Sequence, residues 1–103
     1  MATVDQLEQG VIDWAEQKGI FEKSTPVDQI GKTQEELDEL VEEIIWVNDK
    51  EAIKMELGDV LVTLSIQAKM QGTTLAECLE LALNKITKRK GSMQNGVFVK
   101  EGD

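Results

Sequence analysis

Hydrophobic residues recur along this chain at intervals of three and four, the spacing of one face of an α-helix. Val4, Leu7, Val11, Trp14 and Ala15 make the first stripe. Thr3 with Gln6 forms a capping-box pattern ahead of it, and Gly19 stands where a helix-terminating glycine belongs. Trp14 continues the apolar stripe and is expected in the core. A second helix is expected to start at Ser24-Thr25-Pro26, with Thr25 as cap and Pro26 at the first helical position. It should run to about Trp46 or Val47, with Gly31 a weak spot inside it. Asn48-Asp49-Lys50 breaks the pattern. A third helix is expected from about Glu51 to Met70, stopped by Gln71-Gly72. Thr74 and Glu77 repeat the capping pattern at the head of a fourth helix, which closes on Lys85, Lys88, Arg89, Lys90 and Gly91. In the tail, Asn95-Gly96 is a turn signal beside a short extended run, Val97-Phe98-Val99, and one strand makes no sheet. The first few and last dozen residues should be the loosest. The expectation is an all-α bundle, a single domain over 1–103 with its core at about 3–91 and a tail at 92–103.

Composition narrows the chemistry. The 103 residues fit one domain, and a chain this short buries only about 60–68% of its unfolded surface, so self-association would help its stability. No apolar run approaches the ~20 residues of a membrane span, and no basic-then-apolar leader opens the chain, so a cytoplasmic location is expected. Histidine and tyrosine are absent. Ser-His-Asp and Cys-His mechanisms and most zinc sites are thereby excluded, leaving a carboxylate, a lysine or a metal-activated water as base. The lone Cys78 forms no internal disulfide and reads as a small core residue. A net charge of −9 argues against nucleic acid or an anionic membrane as partner. An anionic substrate stays compatible if bound cations reverse the local field.

Two acidic pairs carry the chemistry. Glu36 and Glu39 stand at i,i+3, as do Glu56 and Asp59, so each pair projects from one side of a helix with side chains ~5–6 Å apart. Packed antiparallel, the two helices would set four carboxylates around one point, where a hard, oxygen-preferring ion such as Mg²⁺ is the natural occupant. The second helix alone, with Glu36, Glu39 and Glu43 beside Leu37, Leu40, Val41 and Ile44, also fits a solvated acidic face. Trp46 argues against that reading, because it lies seven residues beyond Glu39 on the acidic side. The third helix argues more strongly. Ile53, Leu57, Val60, Leu61, Leu64 and Ala68 form one apolar arc, and Met55, Val62, Ile66 and Met70 form another. A helix apolar nearly all round is expected to be buried. Glu56 and Asp59 fall between the arcs, and buried carboxylates are costly unless paired or metal-bound. With no arginine before Arg89, a metal is the cheaper partner.

Lys85 and Arg89 stand at i,i+4 with Lys88 and Asn84 beside them. Cations in a last turn complement the helix dipole, which accounts for the cluster by itself. The functional alternative is a clamp for phosphate oxygens, Arg89 forking and Lys85 acting as a point charge.

The run Glu-Glu-x-x-Glu, a gap of sixteen residues, then Glu-x-x-Asp resembles the MazG-like all-α nucleoside triphosphate pyrophosphohydrolases. The surrounding segments Lys32–Leu40, Glu56–Val60 and Asn84–Arg89 agree, and the resemblance covers about Pro26 to Gly91. It implies metal ligands at Glu36, Glu39, Glu56 and Asp59, with Glu35 assisting a second ion or the water. It also implies phosphate contacts from Lys85, Lys88 and Arg89, and an aromatic at Trp46 stacking on the base. Glu43 lies outside the motif. The implied activity is Mg²⁺-dependent hydrolysis (Mn²⁺ substituting) of (deoxy)nucleoside triphosphates to monophosphate and pyrophosphate, clearing unwanted nucleotides. The implied assembly is a homodimer or a dimer of dimers that completes the bundle and shares active sites. Two alternatives share these features: a phosphoribosyl-ATP or dUTP hydrolase on the same fold, and a non-enzymatic acidic helical module that senses nucleotide or dimerises.

Overall fold

The computed structural model describes residues 1–102. Helix α1 spans Val4–Gln17, and its N-terminus is closed by the Thr3–Gln6 capping box. Gly19 follows in the left-handed conformation (φ 75°), which ends α1 and starts a single turn, α2 (Ile20–Lys23), that the hydrophobic pattern is too short to reveal. Thr25 caps α3 (Pro26–Glu42), with Asp28 completing the box and Pro26 in its first turn. Gly31 does not interrupt it.

The expected run to Val47 is helical throughout but not α-helical throughout. Glu43–Val47 forms a π-turn, in which the Asn48 N–H donates to the Glu43 carbonyl at 2.6 Å across five residues. A π-turn is wider than an α-turn, so residues beyond it fall out of phase with the helix before it. Asn48 then adopts a left-handed conformation (φ 58°), and Asp49 caps α4 (Lys50–Met70) through the Glu51 N–H. Helix α5 covers Leu75–Ile86 with Thr74 as cap. The capping pattern there is only half realised: the Glu77 N–H donates to Thr74, but the Glu77 carboxylate takes the Thr73 hydroxyl instead (2.7 Å).

Helices α3 and α4 form the principal pair, α1 lies along α4, and α5 touches α1 and α4 more sparingly. Polar contacts between helices fix these placements. Thr63 donates to the Val60 carbonyl (2.7 Å) and meets the Thr33 hydroxyl at 2.9 Å, tying α4 to α3. Gln67 donates to the Pro26 carbonyl (2.9 Å) further along the same seam. The buried Glu8 of α1 accepts from the Leu75 N–H (2.9 Å), placing a carboxylate at the positive end of α5 and satisfying an otherwise unpaired helix-start donor.

The tail is a second departure. Gly91–Gln94 (β1) pairs antiparallel with Val97–Lys100 (β2) in the register Gly91↔Lys100 to Gln94↔Val97. The turn residues Asn95 and Gly96 both take positive φ (51° and 86°), as a two-residue hairpin turn requires. The extended run therefore does have a partner, and the tail is ordered into a hairpin. Its close point is Gly91, where an added Cβ would collide with the Val99 carbonyl, the Phe98 ring and the Lys100 backbone.

The core of one chain is small. Ile12, Ala15, Ile66 and Ala68 are its buried apolar residues, alongside buried polar Glu8, Gln29, Glu36, Thr63 and Ser65. The expected burial of α4 on all sides is not met within one chain: Ile66 and Ala68 are inside, while Leu57, Leu61 and Leu64 stay exposed. On α3, Leu37 and Val41 are likewise exposed, as is Ile44 beyond it. On α5 no residue is buried, and Leu79, Leu81, Leu83 and Ile86 face outward. Cys78 is exposed rather than in the core. Among the described residues no helix is long and apolar enough to cross a membrane.

Candidate metal and phosphate site

The α3–α4 pairing brings three of the four predicted ligands to one point. Glu36 from α3 and Glu56 and Asp59 from α4 each present an oxygen, and the three oxygens lie within 4.8 Å of one another. The i,i+3 spacing on α4 sets Glu56 and Asp59 on one side of the helix. The Thr33–Thr63 contact, one turn before Glu36 and one turn after Asp59, holds the register that brings α3 to them.

Glu36 is the innermost member, 9% exposed. Its Oε1 lies 3.5 Å from Lys32 Nζ, while its Oε2 is buried with no hydrogen-bond partner. Lys32 also reaches Glu35 at 3.6 Å, and its pKa is raised, first by Glu35 and further by Glu36. The carboxyl of Glu36 is held above its ordinary range, first by burial, then by the neighbouring Glu39 and more weakly by Asp59. Glu56 Oε2 is likewise buried and unpartnered. Two orphaned carboxylate oxygens in one three-acid cluster form a donor set that fits a hard divalent ion, since leaving them bare is costly.

Other predicted residues stand elsewhere. Glu39 is exposed and lies outside the three-oxygen group, although close enough to Glu36 to act on it electrostatically. Glu35 is exposed and paired with Lys32. Glu43 opens the π-turn and buries an unpartnered Oε1 of its own. Trp46 is 81% exposed on the π-turn. It lines neither of two recesses bordered by Asp59. The reason is local: counting seven residues from Glu39 assumes a regular α-helix, and the π-turn breaks that phase.

Helix α5 ends at Ile86, so Lys88 and Arg89 do not continue its face as i,i+4 spacing implied. They follow in tight turns, with the Lys88 N–H donating to the Lys85 carbonyl and the Arg89 N–H to that of Ile86. Lys85, Lys88 and Arg89 nevertheless converge, lining one recess with Lys90, Lys100 and Glu101. None of them borders either of the two recesses named above that Asp59 borders.

Sequence reasoning missed several neighbours of the acids. A recess of ≈ 480 Å³, well within the size of ligand pockets, is bordered by Glu36 and Asp59 and walled by Trp14, Ile20, Gln29, Lys32 and Thr63. Trp14 is 46% exposed there, not packed in the core. The signal for Lys32 was its position four residues before Glu36, a helical ion-pair spacing. Ile20 lies on a helix too short to show a period.

A helical bundle that draws acids from two paired helices to one point defines the class: an all-α protein built around an acidic centre. The comparison with known families narrows it, for the sequence model of the MazG nucleotide pyrophosphohydrolase domain matches residues 25–93, and the chain belongs to that family. The matched region holds α3, α4 and α5 and therefore every residue of the acidic centre. Over 69 residues the chain is also 38% identical to an uncharacterized 18.2 kDa protein in the rep-hol intergenic region of Haemophilus phage HP1 (strain HP1c1). That alignment covers 67% of this chain and 42% of the phage protein, so the chain spans less than half of that relative's length. No solved structure matches.

Proposed function

We propose that this protein hydrolyses (deoxy)nucleoside triphosphates to the monophosphate and pyrophosphate through a catalytic core over about 3–91. The observation that carries this reading is the convergence of Glu36, Glu56 and Asp59, with two buried oxygens lacking partners. Those three residues, joined by Glu39 on the exposed side, would hold Mg²⁺ or Mn²⁺. A divalent ion there supplies neutralisation of the triphosphate and acidification of a water. Without such a counter-charge a chain of net charge −9 repels its substrate.

The reaction adds water at the α-phosphorus and releases pyrophosphate. Glu35, exposed beside the cluster, takes the proton that the water gives up. Lys85, Lys88 and Arg89 grip the phosphate oxygens and stabilise the leaving pyrophosphate. They border a different recess from the carboxylates in one chain, so we assign them to the site of a second copy. The outward apolar residues of α3, α4 and α5 support the same assembly, a homodimer or dimer of dimers. Trp46, exposed amid Ile44, Ile45 and Val47, packs against the second copy in that assembly. The setting is the cytoplasm, and the role is clearance of unwanted nucleotides.

A pyrophosphate-release screen of the eight common nucleotides with Mg²⁺ tests the reading. Pyrophosphate and monophosphate from at least one nucleotide are expected. Mg²⁺-dependent stabilisation without any pyrophosphate would identify a non-enzymatic nucleotide-sensing module instead.

A further inference from the structure

We infer that Trp14 and Gln29 form the nucleobase site of this protein, within the same chain as the carboxylates. The inference rests on the pyrophosphohydrolase reading and adds to it the residues that contact the base. Trp14 borders two recesses that Asp59 also borders, one shared with Glu36 and Gln29 and the other with Gln6 and Val11. A large aromatic left 46% exposed beside an acidic cluster is poorly used as packing. It offers a flat apolar surface within the same recess as the acids that would anchor the phosphates, as a nucleotide requires, and every nucleobase has a face that stacks on such a ring.

Gln29 supplies the polar counterpart. It is 9% exposed and lines the same recess. Its Nε2 donates to Ser24 Oγ at 3.0 Å, and Ser24 Oγ in turn donates to the Thr25 carbonyl. The amide is thereby oriented, and its Oε1 accepts no hydrogen bond from the protein among the described residues. All common bases carry an N–H on their Watson–Crick edge that such an oxygen accepts. The Gln29 backbone is itself fixed in the first turn of α3, its N–H donating to the Thr25 carbonyl at 3.1 Å. Trp46 borders neither recess and is not needed for stacking in one chain.

The test uses Trp46→Phe, which leaves Trp14 as the sole tryptophan, titrated in Mg²⁺ with the eight common triphosphates and with inorganic tripolyphosphate. Nucleotide should quench Trp14 emission and tripolyphosphate should not. In the otherwise natural chain, Trp14→Leu should raise KM roughly tenfold or more, the scale of losing one base–aromatic stack, with Trp14→Phe restoring most of it. The same change should leave kcat within about threefold and tripolyphosphate inhibition unaltered, because uniform binding is lost rather than transition-state stabilisation. Gln29→Leu should raise KM and Gln29→Glu, which keeps the acceptor, should raise it less. Nucleotides that are hydrolysed without quenching Trp14 would overturn the inference alone. So would a Trp14→Leu protein whose KM is unmoved, or whose only change is its assembly state. Quenching by nucleotides that are never hydrolysed would uphold the base site and overturn the hydrolase reading.

Discussion

The α3–α4 pair and the α5–hairpin end of the molecule are built on opposite terms. Across α3 and α4 the polar groups are inside: Glu36 and Thr63 are buried, and Thr33 and Gln67 reach across the seam. That seam is complete within one chain and fixes where the acids point. At the other end nothing is inside. No residue of α5 is buried, both strands of the hairpin are exposed throughout, and five cations crowd one recess with Glu101. One region carries a finished cluster of negative charge and the other an unfinished cluster of positive charge. The chain positions its acids by itself and leaves its bases and apolar faces outward.

The contrast breaks most sharply at Asp59. Asp59→Asn keeps the size of the side chain and removes one charge from the cluster, so we expect a loss of at least ~100-fold in rate, the scale of one electrostatic contributor. Helical content should be unchanged, and circular dichroism checks this beside the kinetics. A variant as fast as the parent would make Asp59 structural.

At the opposite end, Gly91→Ala forces a Cβ into the Val99 carbonyl and the Phe98 ring. The hairpin amides should lose protection from hydrogen exchange while those of α3 and α4 keep theirs. Loss of protection in both regions would show that the two ends are not independent.

Acidity sharpens the difference further. Glu36 is raised above the ordinary 4.5 chiefly by burial, so the folded state holds its proton more tightly than the unfolded state does. Below the ordinary value this group contributes nothing to pH-dependence. As pH rises through the ordinary and then the raised value, the metal-free protein loses stability, and above both the penalty is full. Melting temperatures of parent and Glu36→Gln should therefore converge at low pH and separate, with the variant higher, as pH rises. Mg²⁺ should close that gap by taking the proton's place. A gap that widened toward low pH would reverse the sign and refute the burial account.

Thr63→Val removes the hydroxyl that meets Thr33 and serves the Val60 carbonyl, at a cost of about 1 kcal/mol in chemical denaturation. It should also weaken Mg²⁺ binding, since the register that aligns Glu36 with Asp59 loosens. Unchanged metal affinity would show that packing alone sets the register. The smallest effect is at Gly31, whose added Cβ would meet nothing within 4 Å. Gly31→Ala should stabilise α3 by roughly 0.5–1 kcal/mol.

Much of the acidic half was legible in the sequence because its determinants are local. Thr3, Thr25 and Thr74 each cap the helix expected of them, and i,i+3 spacing placed the acids on their helices. What escaped was set by phase and by partners. The π-turn at Glu43–Val47 has no signature in the apolar period, and it invalidates counting forward to Trp46. Strand β1, Gly-Ser-Met-Gln, has little β-propensity of its own and is made a strand by its register with β2. The arc Leu57, Leu61 and Leu64 was expected inside because apolar periodicity reports a face that seeks cover, not the molecule that covers it. Trp14 misled in the same way, since an apolar stripe marks a recess wall as readily as a core. Lys32 was overlooked as a partner for Glu36 because only arginine was weighed against the buried acids.

Glu36, Glu56 and Asp59, brought together by the α3–α4 seam, are proposed to be one divalent-ion site. Titration of Mn²⁺, with free ion followed by electron paramagnetic resonance, addresses it without depending on substrate. The parent should bind Mn²⁺ saturably, Mg²⁺ should compete, and Asp59→Asn and Glu56→Gln should lose that binding with helicity intact. Equal Mn²⁺ binding by parent and both variants would contradict the proposal.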